Sequence, residues 1–386
     1  MRQQILYELI KASLCCTDIS SIMCKNISEE VYEEMKLHAL LMLPAHILSS
    51  LQMNDELRNV WEKDIILRFS YYCKYINIES NLPVVVPYVI LKGTAAAQYY
   101  PYPQYRSMGD IDIMPSRGYM DTACNELLAN GFEEITTQND WERGRHRTFI
   151  KQGVPVEVHS FFASMNDPEK VRIFDDMLFD NINPSHILPD LINGMVLIEH
   201  VNQHMEEGIG LRQIIDWMMF VDKCLDEEKW SEFQKMLQKT GLEKLALTVT
   251  RMCEIYFDLP EHMWCRGVNK KICADLMDYV LASGTFGMKF DEDEQIALAR
   301  VSQFTHPIRM IKELNKRGSS HLEPTKKSVQ NPLLSILRGV RSVNKPLHFI
   351  KHYRKAASIN RMFDSLGVRR ASKGLVYYEN GKYIKK

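Results

Sequence analysis

Apolar positions in the first 80 residues recur at helical spacing. MRQQILYELIKASLCC carries Glu8 and Lys11 inside its apolar pattern and predicts an amphipathic helix. Ser28 precedes EEVYEEMKLHALLM, a cap and acidic first turn followed by Val31, Met35, Leu41 and Met42. Asn54 opens a third segment in which Leu57, Trp61, Ile65, Phe69 and Cys73 return every four residues, a stripe suited to a core or to a partner. At Pro83 the texture changes. VVVPYVILKG is continuous and rich in β-branched residues, as a strand buried on both faces requires, and Pro87 limits it to about 88–92. Gly93-Thr94 leads into a short helix, TAAAQYY, stopped by Pro101 and Pro103. GDIDIMP reads as a second strand, 117–130 as a helix closed by Gly131, and HRTFIK with VPVEVHSFF as a hairpin turning at Gln152-Gly153.

From about Pro184 the helical period returns, through ILPDLINGMVLIEHVNQHM and LRQIIDWMMFVDKCL, and continues to about Arg300. Beyond it Pro307, Pro324, Pro332 and Pro346 leave room for short helices only, and LVYYENGKYI ends the chain with the Asn-Gly signature of a hairpin. The order predicts an α+β fold, predominantly helical. A helical N-terminal region (1–82) precedes a small mixed-sheet core (83–183), a helical region packing on it (184–300), and a C-terminal region with short helices and a terminal hairpin (301–386).

Composition adds class and compartment. Hydrophobic residues make up 45% and charged residues 25% of 386, ordinary for a globular protein, and no apolar run is long enough to cross a membrane. The 9 cysteines contain no CxxC pair, which points to free thiols in a reducing compartment and a cytoplasmic protein. The net charge of −1 hides an asymmetry: residues 301–386 hold 19 basic and 4 acidic side chains, the remainder 29 and 45. A basic end of this kind contacts nucleic acid or folds onto the acidic body, and its apolar residues and hairpin favour the second.

The informative chemistry runs from Leu91 to Glu157. On a strand, Asp110 and Asp112 project to one side about 6.5–7 Å apart while Ile111 and Ile113 face the core. Two such carboxylates repel unless a cation lies between them, so removing one is expected to leave stability unchanged or higher. Oxygen ligands suit magnesium or manganese. Gly93 lets a phosphate approach the backbone, and the Thr94 hydroxyl adds a donor. Glu157, between Val156 and Val158, completes a three-carboxylate set if its strand lies beside the Asp110–Asp112 strand. Each piece alone also describes a solvent-facing strand edge or an ordinary turn.

Together and in this order, LKGTAAAQYYPYPQYRSMGDIDIMP followed by VEVHSFF resembles the nucleotidyltransferase superfamily of DNA polymerase beta, kanamycin nucleotidyltransferase and the CCA-adding enzymes. More narrowly, the run through HVNQHMEEGIGLRQIIDWMMFV resembles a bacterial, largely uncharacterised nucleotidyltransferase-like family, over about 85–225. The resemblance implies that Asp110, Asp112 and Glu157 are catalytic and hold Mg2+ or Mn2+. It implies that Gly93 and Thr94 hold the triphosphate, with threonine in place of the usual serine. The substrate implied is a nucleoside triphosphate such as ATP, whose nucleoside monophosphate passes to a hydroxyl of a small molecule, a protein or RNA. Glu157 or Asp112 would accept the hydroxyl proton. Lys92 and Arg106 are the nearest cations for phosphate, Lys92 being equally a snorkelling surface lysine. His159, two residues past Glu157, either touches substrate or fixes the glutamate. The alternative is a catalytically silent nucleotide-binding or RNA-binding protein on the same fold.

Other features carry less. His200 and His204 sit four apart on a helix without the glutamate or cysteines of a zinc site, so no zinc is expected. Arg143, Arg145 and Arg147 read as a solvated edge, and Arg212 with Asp216 as a helical ion pair.

Overall fold

The computed structural model describes residues 2–15, 20–137, 144–290, 294, 346–370, 373–379 and 381–385. Cys16, Arg143, the acidic residues at 291–293 and the proline-rich stretch 301–345 lie outside them. Two compact units result: Met1–Met288 with Leu366–Lys386, and Lys289–Ser365.

In the first unit the N-terminal region is helical, as its periodicity predicts: α1 (Arg2–Cys15), α2 (Ser20–Met23), α3 (Glu29–Leu37) and α4 (Asp55–Ser80). Asn54 caps α4 through its side chain, which accepts from the Leu57 amide at 2.7 Å. The apolar stripe expected on α4 holds only at its start. Leu57 and Trp61 are buried, but Phe69 and Cys73 are exposed. A strict four-residue repeat overshoots a helical turn by about 40° per step, so the stripe winds off the core. Tyr75 and Ile78 take over the buried face, under the sheet.

The sheet has five strands in the order β1-β2-β5-β4-β3. They are β1 (Tyr88–Leu91), β2 (Ile111–Pro115), β3 (Glu133–Glu134), β4 (His146–Lys151) and β5 (Val154–His159). β1 runs antiparallel to β2, β2 parallel to β5, and β5 antiparallel to β4. The sheet is therefore mixed, as expected. Between β1 and β2 lies α5 (Gly93–Ala97), and α6 (Met120–Ala129) follows β2. The β4–β5 turn puts Gln152 at φ 52 and Gly153 at φ 81, the paired positive dihedrals of a two-residue hairpin turn. Ile111, Ile113, Val156 and Val158 turn to one face and pack with Tyr75 and Ile78 of α4 and Ala123, Cys124 and Leu127 of α6.

The helices α7 (Pro168–Phe179), α8 (Asp190–His204), α9 (Leu211–Cys224), α10 (Glu227–Thr240), α11 (Glu243–Phe257) and α12 (Lys270–Ser283) follow. Both long apolar patterns after Pro184 are thus helices. At the chain end, β6 (Val376–Glu379) and β7 (Lys382–Lys385) form the expected hairpin. It belongs to the first unit, where Tyr383 meets Phe161 edge-on with 5.9 Å between ring centroids. The second unit contains α13 (Pro346–Leu366), a 21-residue helix rather than a short one. Pro346 opens it, at the end where a missing amide and a fixed φ cost nothing. Among the described residues no helix is long and apolar enough to cross a membrane.

Candidate active site

The face of the sheet opposite α4 and α6 carries the acidic residues. Parallel pairing sets Ile111 against Val156, Asp112 against Glu157 and Ile113 against Val158. With the isoleucines and valines turned into the core, strand alternation leaves Asp112 and Glu157 side by side on the other surface. Asp110 stands just before β2, where the Tyr71 hydroxyl of α4 donates to the Gly109 carbonyl at 2.5 Å. Ligand oxygens of Asp110, Asp112 and Glu157 all lie within 4.8 Å of one another.

A lysine and two histidines of the chain itself surround this group. Lys92 Nζ lies 2.7 Å from Asp112 Oδ1, and His159 Nε2 donates to the same oxygen at 2.8 Å. His159 also lies 3.3 Å from Glu157 Oε2, and His146 Nε2 lies 3.6 Å from Glu157 Oε1. Lys92 is therefore not a snorkelling surface lysine: it is buried, at φ 53, a dihedral that L side chains rarely adopt. Burial pulls its pKa down, but Asp112, Asp110 and Glu157 outweigh that and raise it. His159 follows the same pattern, burial opposing and the bonds to Asp112 and Glu157 prevailing, so its pKa rises. Burial raises Glu157, yet His159 and Lys92 bring it down to about 2. His146 was missed in the sequence, although a signal existed. A two-residue turn at Gln152-Gly153 fixes the register that sets His146 opposite His159.

The donor set fits a hard divalent cation. All three candidate ligands offer carboxylate oxygen. Asp112 Oδ2 is buried with no hydrogen-bond partner among the described residues, so one oxygen of this side chain is left for a ligand. His146, Glu157 and His159 also bring one ligand atom each within 4.8 Å of one another.

Gly93 and Thr94 part company. Gly93 lines the pocket, whereas Thr94 is not among the lining residues and its hydroxyl donates to Glu79 Oε1 of α4 at 2.6 Å. Gly93 sits at φ 38, and a β-carbon there would overlap the Tyr75 hydroxyl. Gly93→Ala is therefore expected to lose about 2 kcal/mol or more, from the dihedral penalty and the displaced Tyr75 ring. Denaturant melts of Gly93→Ala with and without Tyr75→Phe test this. Partial recovery in the double variant is expected, and a wild-type midpoint for Gly93→Ala would refute the close approach.

The carboxylates open onto a pocket of about 360 Å³. Lys92, Gly93, Arg106, Asp110, Asp112, Glu157 and His159 all line it. Arg106 reaches it with its charge already matched: Nε and Nη2 each lie 2.7 Å from an oxygen of Asp216, which also accepts from the Tyr100 hydroxyl at 2.7 Å. Asp216 thus pairs with Arg106, not with Arg212 four residues before it. A guanidinium fork makes two bonds to the carboxylate, while Arg212 Nη1 turns to the Ser107 carbonyl at 3.2 Å. Arg145 departs from the solvated edge expected of it and lines the pocket, while Arg147 pairs with Glu134 outside. His200 and His204 form part of the wall, their rings edge-on at 4.7 Å. Burial and neighbouring cations push the pKa of both well down.

Against known families, residues 83–258 match one described as "Uncharacterised nucleotidyltransferase". No curated protein and no solved structure matches the chain.

Proposed function

We propose, from the match of residues 83–258 to this nucleotidyltransferase family, that the protein transfers a nucleoside monophosphate from a nucleoside triphosphate to a hydroxyl acceptor, releasing pyrophosphate. The observation that carries the reading is the convergence of Asp110, Asp112 and Glu157 within 4.8 Å, on one face of the sheet and inside a pocket rich in cations. Magnesium or manganese held by these three carboxylates supplies Lewis-acid stabilisation of the charge that develops on the phosphoryl oxygens.

The chain's own residues do the rest. Lys92 and His159 occupy Oδ1 of Asp112 and leave its buried Oδ2 without a hydrogen-bond partner among the described residues. His159 also ties Glu157 to Asp112, fixing the two carboxylates relative to each other. In this reading Glu157 completes the ligand set, and Glu157 or Asp112 accepts the acceptor's hydroxyl proton. Gly93 lines the pocket while its missing side chain makes room for the Tyr75 hydroxyl of α4, and Thr94 acts indirectly, holding the turn to Glu79 of α4.

The test is direct. The protein is incubated with each α-labelled nucleoside triphosphate, Mg2+ or Mn2+, and fractionated small molecules, RNA or protein. Metal-dependent transfer of label, abolished by a chelator, is expected for one acceptor class. Absence of transfer in every fraction, together with no calorimetric signal for any nucleoside triphosphate, would overturn the proposal.

A further inference from the structure

Besides Arg106, whose charge Asp216 matches, three arginines line the pocket beside the carboxylate group, and each comes from a different part of the chain. Arg145 precedes β4, Arg212 lies in the first turn of α9, and Arg369 lies in the C-terminal segment, outside the family match at 83–258. Each guanidinium is anchored through one terminal nitrogen. Arg145 Nη2 donates to the Phe162 carbonyl at 2.9 Å, Arg212 Nη1 to the Ser107 carbonyl at 3.2 Å, and Arg369 Nη2 lies 3.6 Å from Glu207 Oε1. The Nε of all three is buried with no hydrogen-bond partner among the described residues. Glu207 is 59% exposed, so its countercharge is screened by water.

These charges converge on one place. His204 is depressed by burial and then by Lys92, Arg212, Arg145 and Arg369 together. Arg145 is itself lowered by burial and by the charge of Arg369, which outweigh the pull of Glu199, Glu157 and Asp175. Gathering like charges in a half-enclosed space is unfavourable unless an anion answers them. Planar guanidinium forks suit phosphate oxygens, and several forks around one cavity suit more than one phosphate.

Arg369 is held in place by design of the segment that carries it. Its amide donates to Asn202 Oδ1 at 2.8 Å. The next amide, of Arg370, donates to Asn166 Oδ1 at 2.8 Å, and Asn166 Nδ2 donates to the carbonyls of Arg370 and Gly374 at 2.7 Å each. Two buried or half-buried asparagines from the core thus staple the backbone on either side of the arginine.

We infer that Arg145, Arg212 and Arg369 bind the β- and γ-phosphates of the nucleoside triphosphate, so that the C-terminal segment forms a wall of the nucleotide site. The inference rests on the transferase reading for the identity of the ligand, but its anion-binding content is separable. Placing the β- and γ-phosphates on the arginines and the α-phosphorus by the carboxylates would leave pyrophosphate on the cationic side when the acceptor oxygen, its proton taken by Glu157 or Asp112, bonds to the α-phosphorus and the bond from that phosphorus to the bridging oxygen of the β-phosphate breaks.

Inorganic tripolyphosphate, titrated calorimetrically into the full-length protein, is the probe. Arg369→Gln, Arg145→Gln and Arg212→Gln are each expected to weaken it by about 10- to 100-fold, the loss of charge-assisted bonds to one guanidinium. Arg369→Lys should retain part of the affinity, and Arg172→Ala, on an exposed pair with Glu169 and Asp176, should retain all of it. Folding is checked by circular dichroism, and Arg212→Gln, on a separate element, carries the test should Arg369→Gln not fold. Unchanged tripolyphosphate affinity in folded Arg369→Gln overturns the inference, as does displacement of the probe by a single-stranded oligonucleotide lacking a triphosphate. Tripolyphosphate binding lost in these variants but without any transfer activity leaves the arginine site standing and removes the transferase reading. Transfer with an unaltered KM for the triphosphate in Arg369→Gln does the reverse.

Discussion

Asp110→Asn and Asp112→Asn are both expected to lose metal-dependent transfer, by about a thousandfold or more, while only Asp112→Asn loses stability. The activity loss follows from removing a ligand charge worth several kcal/mol of transition-state stabilisation. The stability difference follows from burial. Asp112 is 1% exposed and faces Lys92, itself 9% exposed, and His159. An asparagine there leaves two buried cations facing a neutral amide. The cost is about 3 kcal/mol, at the low end for a broken buried pair because Asp110 and Glu157 also act on Lys92. Asp110 is half-buried, and its substitution should stay within about 1 kcal/mol. For Asp112 this reverses the expectation that relief of repulsion would make the change neutral or stabilising: the sequence showed the two anions but not the lysine and histidine already paired with Asp112. Thermal melts decide it, with Mn2+ raising the wild-type midpoint by mass action and raising neither variant's. Equal midpoints for the two variants would sink the buried-pair argument, and near wild-type turnover in either would sink the metal assignment.

What the sequence made legible was what short-range geometry dictates. A strand alternates, so Ile111 and Ile113 had to oppose Asp112, and Val156 and Val158 had to oppose Glu157. Gln152-Gly153 specified a two-residue turn, and the turn specified the β4–β5 register. The apolar periods named most helices. Where the reading failed, partner choice or long-range topology decided the outcome. Arg212 and Asp216 had ideal helical spacing, yet Asp216 took the distant Arg106 because a buried carboxylate gains more from a two-bond fork than from a neighbour on its own helix. Arg145 looked like any charge at a strand edge, and nothing local distinguishes it from Arg147, which is one. Arg369 stands in a basic end whose composition suggests a surface, and only the asparagine staples from Asn166 and Asn202 bring it to the pocket. Thr94 had the right residue type in the right turn, but α4 arrives with Glu79 to accept its proton. The meeting of the three carboxylates was therefore readable, with Lys92, Arg106 and His159 near them, and the arrival of Arg145, Arg212 and Arg369 at the same pocket was not.

Asp216→Ala is expected to cost about 3–5 kcal/mol, because it leaves the Arg106 guanidinium buried without its counterion. Both side chains are nearly inaccessible, at 3% and 1%, and Asp216 receives two bonds from Arg106 and one from Tyr100. Burial disfavours a charged Arg106, and Asp216 more than offsets it; with Asp216 gone the guanidinium is too basic to escape by losing its proton, so the burial cost stands unanswered. A paired apolar replacement, Arg106→Met with Asp216→Leu, removes both charges together and should recover most of the loss, leaving the Tyr100 hydroxyl as the one group without its acceptor. The same pair of variants separates two roles for Arg106, which its nearness in sequence to the aspartates offers as a phosphate contact. If its charge is matched by Asp216, the double variant keeps tripolyphosphate affinity within about threefold, a difference of about 0.7 kcal/mol. If Arg106 itself holds phosphate, the double variant loses affinity as Arg369→Gln does. A wild-type melting midpoint for Asp216→Ala would show that the pair contributes nothing, since a buried guanidinium without a partner has no other way to be accommodated than by distortion or water entry.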